Sequence, residues 1–188
     1  VAQCSTKTTY DYTIMLATET VEFSTFQIQA LQKELAACGK DRDGDGEVNV
    51  LLVDCTFNEI ESGYQIIMAK KQKLQSLIMN EEDALIMIAD PDCFEWINGL
   101  GKKNGGKGFM ENTKLPNGDG YYYDMTETSF VKKAKEAVDP AFIWPEKLIV
   151  SRRRIKGTMF EKRKGIEENV AAADDFIAKI IKDGKSLS

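Results

Sequence analysis

Four short runs, YDYTIMLATE at 10–19, VNVLLVD at 48–54, ALIMIAD at 84–90 and KLIVS at 147–151, are almost continuously apolar where a half-exposed strand would alternate. Runs of this kind fit strands covered on both faces, and the segments between them carry the period of amphipathic helices. Ser24 and Gln27 have the spacing of a capping box, after which Ile28, Leu31, Leu35 and Cys38 recur on one face and Gly39 offers a stop. Tyr64, Ile67, Met68, Leu74, Leu77 and Ile78 mark a second helix, with Lys70, Lys71 and Lys73 as its solvated face. Asp92 and Glu95 can cap a short helix containing Phe94, Trp96 and Ile97. Phe130, Ala134 and Val138 suggest another, and Ile166, Val170, Ala173, Ile177 and Ile180 share one face of a last. Strands alternating with helices predict an α/β fold, a three-layer sandwich with a mostly parallel central sheet of at least four strands.

The organisation expected is a disordered tail over 1–9 and a single α/β domain over 10–188. Within that domain the pattern lapses into GLGKKNGGKG and LPNGDG, so 99–125 reads as a flexible Gly/Lys-rich segment, a lid or a place where a larger ancestor was cut down. The opening VAQC invites comparison with a lipoprotein cleavage box, in which Cys4 would carry the lipid, although Gln3 stands where that box has a small residue. An extracellular or cell-surface location follows as the expectation. In that setting Cys55 and Cys93, which both follow strands at one sheet edge, are the expected disulfide pair.

Charge and composition narrow the chemistry. With 25 Lys and Arg against 30 Asp and Glu the formal charge is -5, which does not suggest a nucleic-acid or anionic-membrane surface. No apolar stretch approaches the roughly 20 residues of a membrane span. The chain has no histidine, which removes Ser-His and Cys-His nucleophile pairs and histidine metal sites. Nucleotide-binding glycine loops and a G-x-S-x-G elbow are also missing from the sequence. Any metal must then be held mainly by oxygen or thiolate.

The strongest short signal is DRDGDGEVN at 41–49. Asp41, Asp43 and Asp45 alternate so that three carboxylates can converge on one hard cation, Gly46 permits a sharp turn, the Glu47 carbonyl is a further oxygen, and Asn49 falls where such loops offer a side chain or a bridging water. Leu52 occupies the twelfth position, where an EF-hand has its bidentate Glu, and Val48 begins a strand instead of a helix. The loop resembles the calcium loop of the periplasmic galactose/glucose-binding protein, which also leads into a strand and takes its bidentate carboxylate from elsewhere. That resemblance implies structural Ca2+. Glu81, Glu82 and Asp83, which precede a neighbouring strand, are the candidates for the distal ligand. The β-α-β-α-β order and the ending RRRIKGTMFE before an amphipathic helix resemble one lobe of extracellular solute-binding proteins and the related surface lipoproteins of Gram-positive gut bacteria.

A ligand is expected beyond the carboxyl ends of the strands, where the sequence presents Glu19, Asp54, Asp90, Asp92 and Trp96, with Arg152 near the fourth strand. Trp96 with Tyr121 to Tyr123 could line a groove there for a small molecule or a protein. The calcium loop would lie about 20 Å away, at the opposite end of strand 48–54. The leading expectation is a non-enzymatic exported binding or surface protein stabilised by structural calcium. The alternatives are a metal-dependent hydrolase using the strand-end carboxylates, or a protein-protein interaction module.

Overall fold

The computed structural model describes residues 9–103, 106–115 and 119–185. Five strands and five helices alternate along them: β1 (Tyr12–Ala17), α1 (Thr25–Ala36), β2 (Val50–Asp54), α2 (Tyr64–Asn80), β3 (Ala84–Ala89), α3 (Pro91–Lys103), β4 (Tyr123–Asp124), α4 (Ser129–Val138), β5 (Ile149–Arg152) and α5 (Ile166–Lys185). Local signals set several boundaries. At the start of α1 the Ser24 hydroxyl accepts from the Gln27 N–H while the Gln27 side chain accepts from the Ser24 N–H, the reciprocal cap its spacing predicts.

The strands form one open sheet in the order β2-β1-β3-β5-β4. β1 pairs in parallel with β2, Tyr12 beside Val50, and with β3. β5 is antiparallel to both β3 and β4. The sheet is therefore mixed, so the expectation of a mostly parallel one is met by β2, β1 and β3 and corrected at β5. The cause lies in the connection: β4 ends at Asp124 and β5 begins at its pairing partner Ile149, so α4 leaves and returns at the same edge and the chain must reverse.

Alternation within the strands divides the core between the two faces of the sheet. Ile14 and Leu16 of β1 join the cluster built with α1, α4 and α5, whereas Met15 and Ala17 join the one built with α2 and α3. All six residues of β3 are buried, and truncating one of them, as in Ile88→Ala, should cost about 3 kcal/mol in lost transfer energy and cavity.

Around 99–125 the structure differs from an unbroken loop. α3 continues to Lys103, Met110 pairs with Arg153 as an isolated bridge, and Tyr123–Asp124 add an edge strand. The Asn98 amide oxygen holds this return by accepting from the N–H groups of Phe109 and Met110. Residues 104–105 and 116–118 of the segment, and residues 1–8 of the expected tail with Cys4, lie outside the described residues.

Arg152 also moves from its expected place. Because β5 runs backwards, Arg152 pairs with Ile86 near the start of β3, at the amino end of the parallel strands and away from the edge assigned to it. The arginine run serves the interior. Arg152 pairs with Asp174 of α5, Arg153 is buried beneath Phe160 and donates to the Glu81 carbonyl, and Arg154 donates to the Gly108 carbonyl. Burial depresses the Arg153 guanidinium to about 10.

Candidate functional site

At the amino end of the parallel strands, the loop between α1 and β2 turns through Gly44 and Gly46 at φ 80 and 91, a region that favours glycine. Its carboxylates accept from backbone N–H groups. Asp41 takes those of Gly44 and Gly46, Asp43 that of Asp45, and Asp45 that of Glu47 together with the Asn49 side-chain amide. Residues 41–47 are exposed. Hydrogen bonds from the Thr9 hydroxyl and the Asp45 N–H hold the Asp43 carboxyl below its ordinary value.

The residue that completes this cluster is Asp11, which the sequence pattern does not single out. It is buried at 4 % exposure immediately before β1. Parallel register brings it beside Asn49, and the two clasp each other: the Asp11 N–H donates to the Asn49 carbonyl at 2.8 Å, and the Asn49 N–H donates to the Asp11 carboxylate at 2.7 Å. The Arg42 N–H reaches the same carboxylate at 2.6 Å. Among the described residues, Asp11, Asp41 and Asp43 are the group of three acidic side chains that each offer an oxygen within 4.8 Å of the others. Two oxygens on a single Ca2+ at about 2.4 Å can lie up to about 4.8 Å apart, so the donor set fits a hard cation. Asp45 and Glu47 are not in that trio.

Of the three distal candidates, Asp83 comes nearest. It lines a cavity of about 230 Å3 together with Asp11, Arg42 and Asp43, and Asn169 of α5 bridges it to Arg42. Glu82 instead pairs with Arg163, and Glu81 supplies its carbonyl to Arg153. Arg42 brings a cation to the cluster's border, donating to the Asp11 carbonyl and lying over the Tyr12 ring.

The carboxyl end is arranged differently. Asp90 is buried, and its two oxygens accept from the N–H groups of Glu19, Thr20 and Cys93 and from the Thr20 hydroxyl. Asp54 caps its own turn by accepting from Thr56 and forms an ion pair with Lys70 at 2.6 Å. Glu19 faces Lys71 at 3.9 Å, and Lys71 lies over the rings of Phe57 and Trp96. Lys70 and Lys71, expected on a solvated face, are thus half-buried partners of the strand-end acids. Burial raises the Glu19 carboxyl above its ordinary value, with Lys71 opposing and Asp90, Glu59 and Asp92 assisting. Asp92 is exposed beside a cavity of about 740 Å3 that Asp90, Asp124, Glu127 and Lys147 also line. The aromatic residues divide: Trp96 faces Lys71, while Tyr122 packs edge-on against Phe94.

The expected disulfide is absent: Cys55 and Cys93 are free and buried. β1 lies between the strands they follow, which separates the strand ends by two sheet spacings of about 9.5 Å, beyond the roughly 7 Å a disulfide can bridge. Burial pushes the Cys55 thiol up to about 12, and the Cys93 thiol rises as well. Both are poor nucleophiles in this state.

Comparison with protein-family models, with curated proteins and with solved structures finds no match for this chain. Its described residues form an α/β fold with five helices and a five-stranded open mixed sheet. Among the described residues no helix is long and apolar enough to cross a membrane.

Proposed function

We propose that this chain is a non-enzymatic exported binding or surface protein, its architecture that of a three-layer sandwich resembling one lobe of a solute-binding protein, with structural Ca2+ held by the 41–49 loop and Asp11. The observation that carries the calcium part is the convergence of Asp11, Asp41 and Asp43 from two segments distant in sequence. Three carboxylates brought together repel one another unless a cation intervenes, and Arg42 supplies only one positive charge at their border. Carbonyl and water oxygens would supply the rest of a shell of six to eight. An ion there would tie the start of β1 to the entry of β2, fixing the pairing of Tyr12 with Val50. Its role is architectural, because the expected ligand edge lies at the other end of these strands.

That edge supports binding more than metal-dependent hydrolysis, since Asp54 and Asp90 spend their oxygens on Thr56, Lys70 and the loop clasp. Calcium titration of metal-stripped protein, followed by calorimetry and thermal melting, tests the proposal. A saturable heat and a raised Tm, both lost in Asp43→Ala, are expected. An identical melt in excess chelator and in millimolar calcium would overturn it.

A further inference from the structure

Between the start of α1 and residues 139–143 lies a groove of about 760 Å3, with apolar walls that include Val21, Phe23, Phe142 and Ile143. Two of these walls, Phe23 and Phe142, meet each other and Trp144 edge to face, with ring centroids 4.8, 5.4 and 5.8 Å apart. Large apolar side chains stand open on the chain segments that form it. Ile143 is 81 % exposed, Phe26, between the lining residues Ser24 and Gln27, is 68 % exposed, and Ile60, between Asn58 and Glu61, is 89 % exposed. One exposed apolar residue is ordinary, but three on the segments that wall a single groove point to an interaction site.

The charge of the groove selects its occupant. Glu22, Glu61 and Asp139 line it, Glu59 flanks Ile60, and no Lys or Arg is among the lining residues. Among the described residues none of these four acids forms an ion pair, in contrast to Glu19, Asp54 and Glu34, which are matched by Lys71, Lys70 and Lys133. A phosphate chain or an anionic membrane would be repelled. A second copy docked through the same patch would set these carboxylates against themselves across a twofold axis.

We infer that this groove docks a cationic, apolar peptide segment of another protein, its aliphatic or aromatic anchors against Phe26, Phe142 and Ile143 and its Lys or Arg side chains against Glu22, Glu61 and Asp139. This rests on the carboxyl edge being the binding edge and does not depend on the calcium ion. The partner would be held by a few buried anchors, with the acids setting charge preference and on-rate.

The test is selection of a displayed library of random short peptides on the full chain, followed by affinity measurement with the best synthetic peptide. Enriched peptides should carry net positive charge and at least two large apolar residues. Their affinity should fall about tenfold or more for Phe26→Ser/Ile143→Ser and again for Glu22→Lys/Glu61→Lys. It should also weaken as salt is raised. All these positions are exposed, and an unchanged Tm would verify that the variants fold. Enrichment of acidic or uncharged peptides would overturn the inference, as would affinity that ignores both variants or a homodimer in sedimentation that Phe26→Ser/Ile143→Ser dissociates. Peptides lost instead on Asp92→Lys would move the site to the neighbouring cavity and leave the edge as a binding edge. If no peptide is enriched over the double variants, the groove inference and the partner-binding reading of the edge fail together, with the calcium proposal untouched.

Discussion

Both ends of the parallel strands gather acidic residues, yet they neutralise them in opposite ways. At the carboxyl end, Asp54 and Glu19 face Lys70 and Lys71, and Asp90 is enclosed by donors from two loops. At the amino end, Asp11, Asp41 and Asp43 point oxygens toward one another, with backbone N–H groups and the bordering Arg42 as company. The number of carboxylates is thus a poor guide to chemistry. The useful distinction is whether each has its own counter-charge, because an unmatched convergent set invites a cation and a matched set ties loops together.

The largest effect should come from breaking the matched end. Asp90→Ala leaves four donors without their acceptor and should lower stability by about 3 kcal/mol, read as a lower denaturant midpoint, while the calcium-induced rise in Tm survives. If Asp90→Ala instead removed the calcium response, the two ends would not be independent.

Next in size is the effect of the proposed ion. At a calcium concentration about a hundredfold above Kd, binding to the folded state alone should add about 2.7 kcal/mol, or roughly 5 to 10 °C in Tm. Asp43→Ala and Asp11→Asn should each remove most of this gain. Arg42→Gln should sharpen the contrast by tightening calcium several-fold in calorimetry, since it withdraws a competing cation from the cluster.

A smaller effect is expected from the Asp54–Lys70 pair, both of whose side chains keep about a quarter of their exposure. A double-mutant cycle should give a coupling of no more than about 1 kcal/mol, weakened by salt. A value several times larger would mean that this end is held by its ion pairs more than by the Asp90 clasp.

The smallest effect concerns Glu19. Burial raises its carboxyl despite Lys71, so the folded state holds the proton more tightly than the unfolded chain. Its favourable contribution is present in full below the ordinary carboxyl range and is lost as pH rises through the folded value. Glu19→Gln should therefore match the parent at acid pH and melt slightly higher at neutral pH. A lower melt at neutral pH would show Lys71 to be the stronger influence.

Much of this architecture was legible because its signals are local. The Ser24–Gln27 cap, the buried runs of β1 and β3 and the apolar face of α5 lie within a few turns or a few residues of sequence. Less legible were features that depend on distant segments. A two-residue strand such as Tyr123–Asp124 has too few positions to carry a period. Lys70 and Lys71 read as solvated because their partners come from the end of β2 and the loop after β1. Asp11 lies thirty positions from Asp41, and a lone acid before a strand gives no sign of whom it will meet.

The alternating acids of 41–49, the helical faces and the strand positions are determined by the sequence itself, since backbone geometry and short-range hydrogen bonds decide them within about ten residues. Tertiary structure alone decided the direction of β5, the separation of Cys55 from Cys93 by β1, and the meeting of Asp11 with the loop. An apolar run carries no arrow. Its direction is settled by the edge to which the chain returns and by the burial of both sheet faces together, and the same parallel register that sets Tyr12 beside Val50 sets Asp11 beside Asn49.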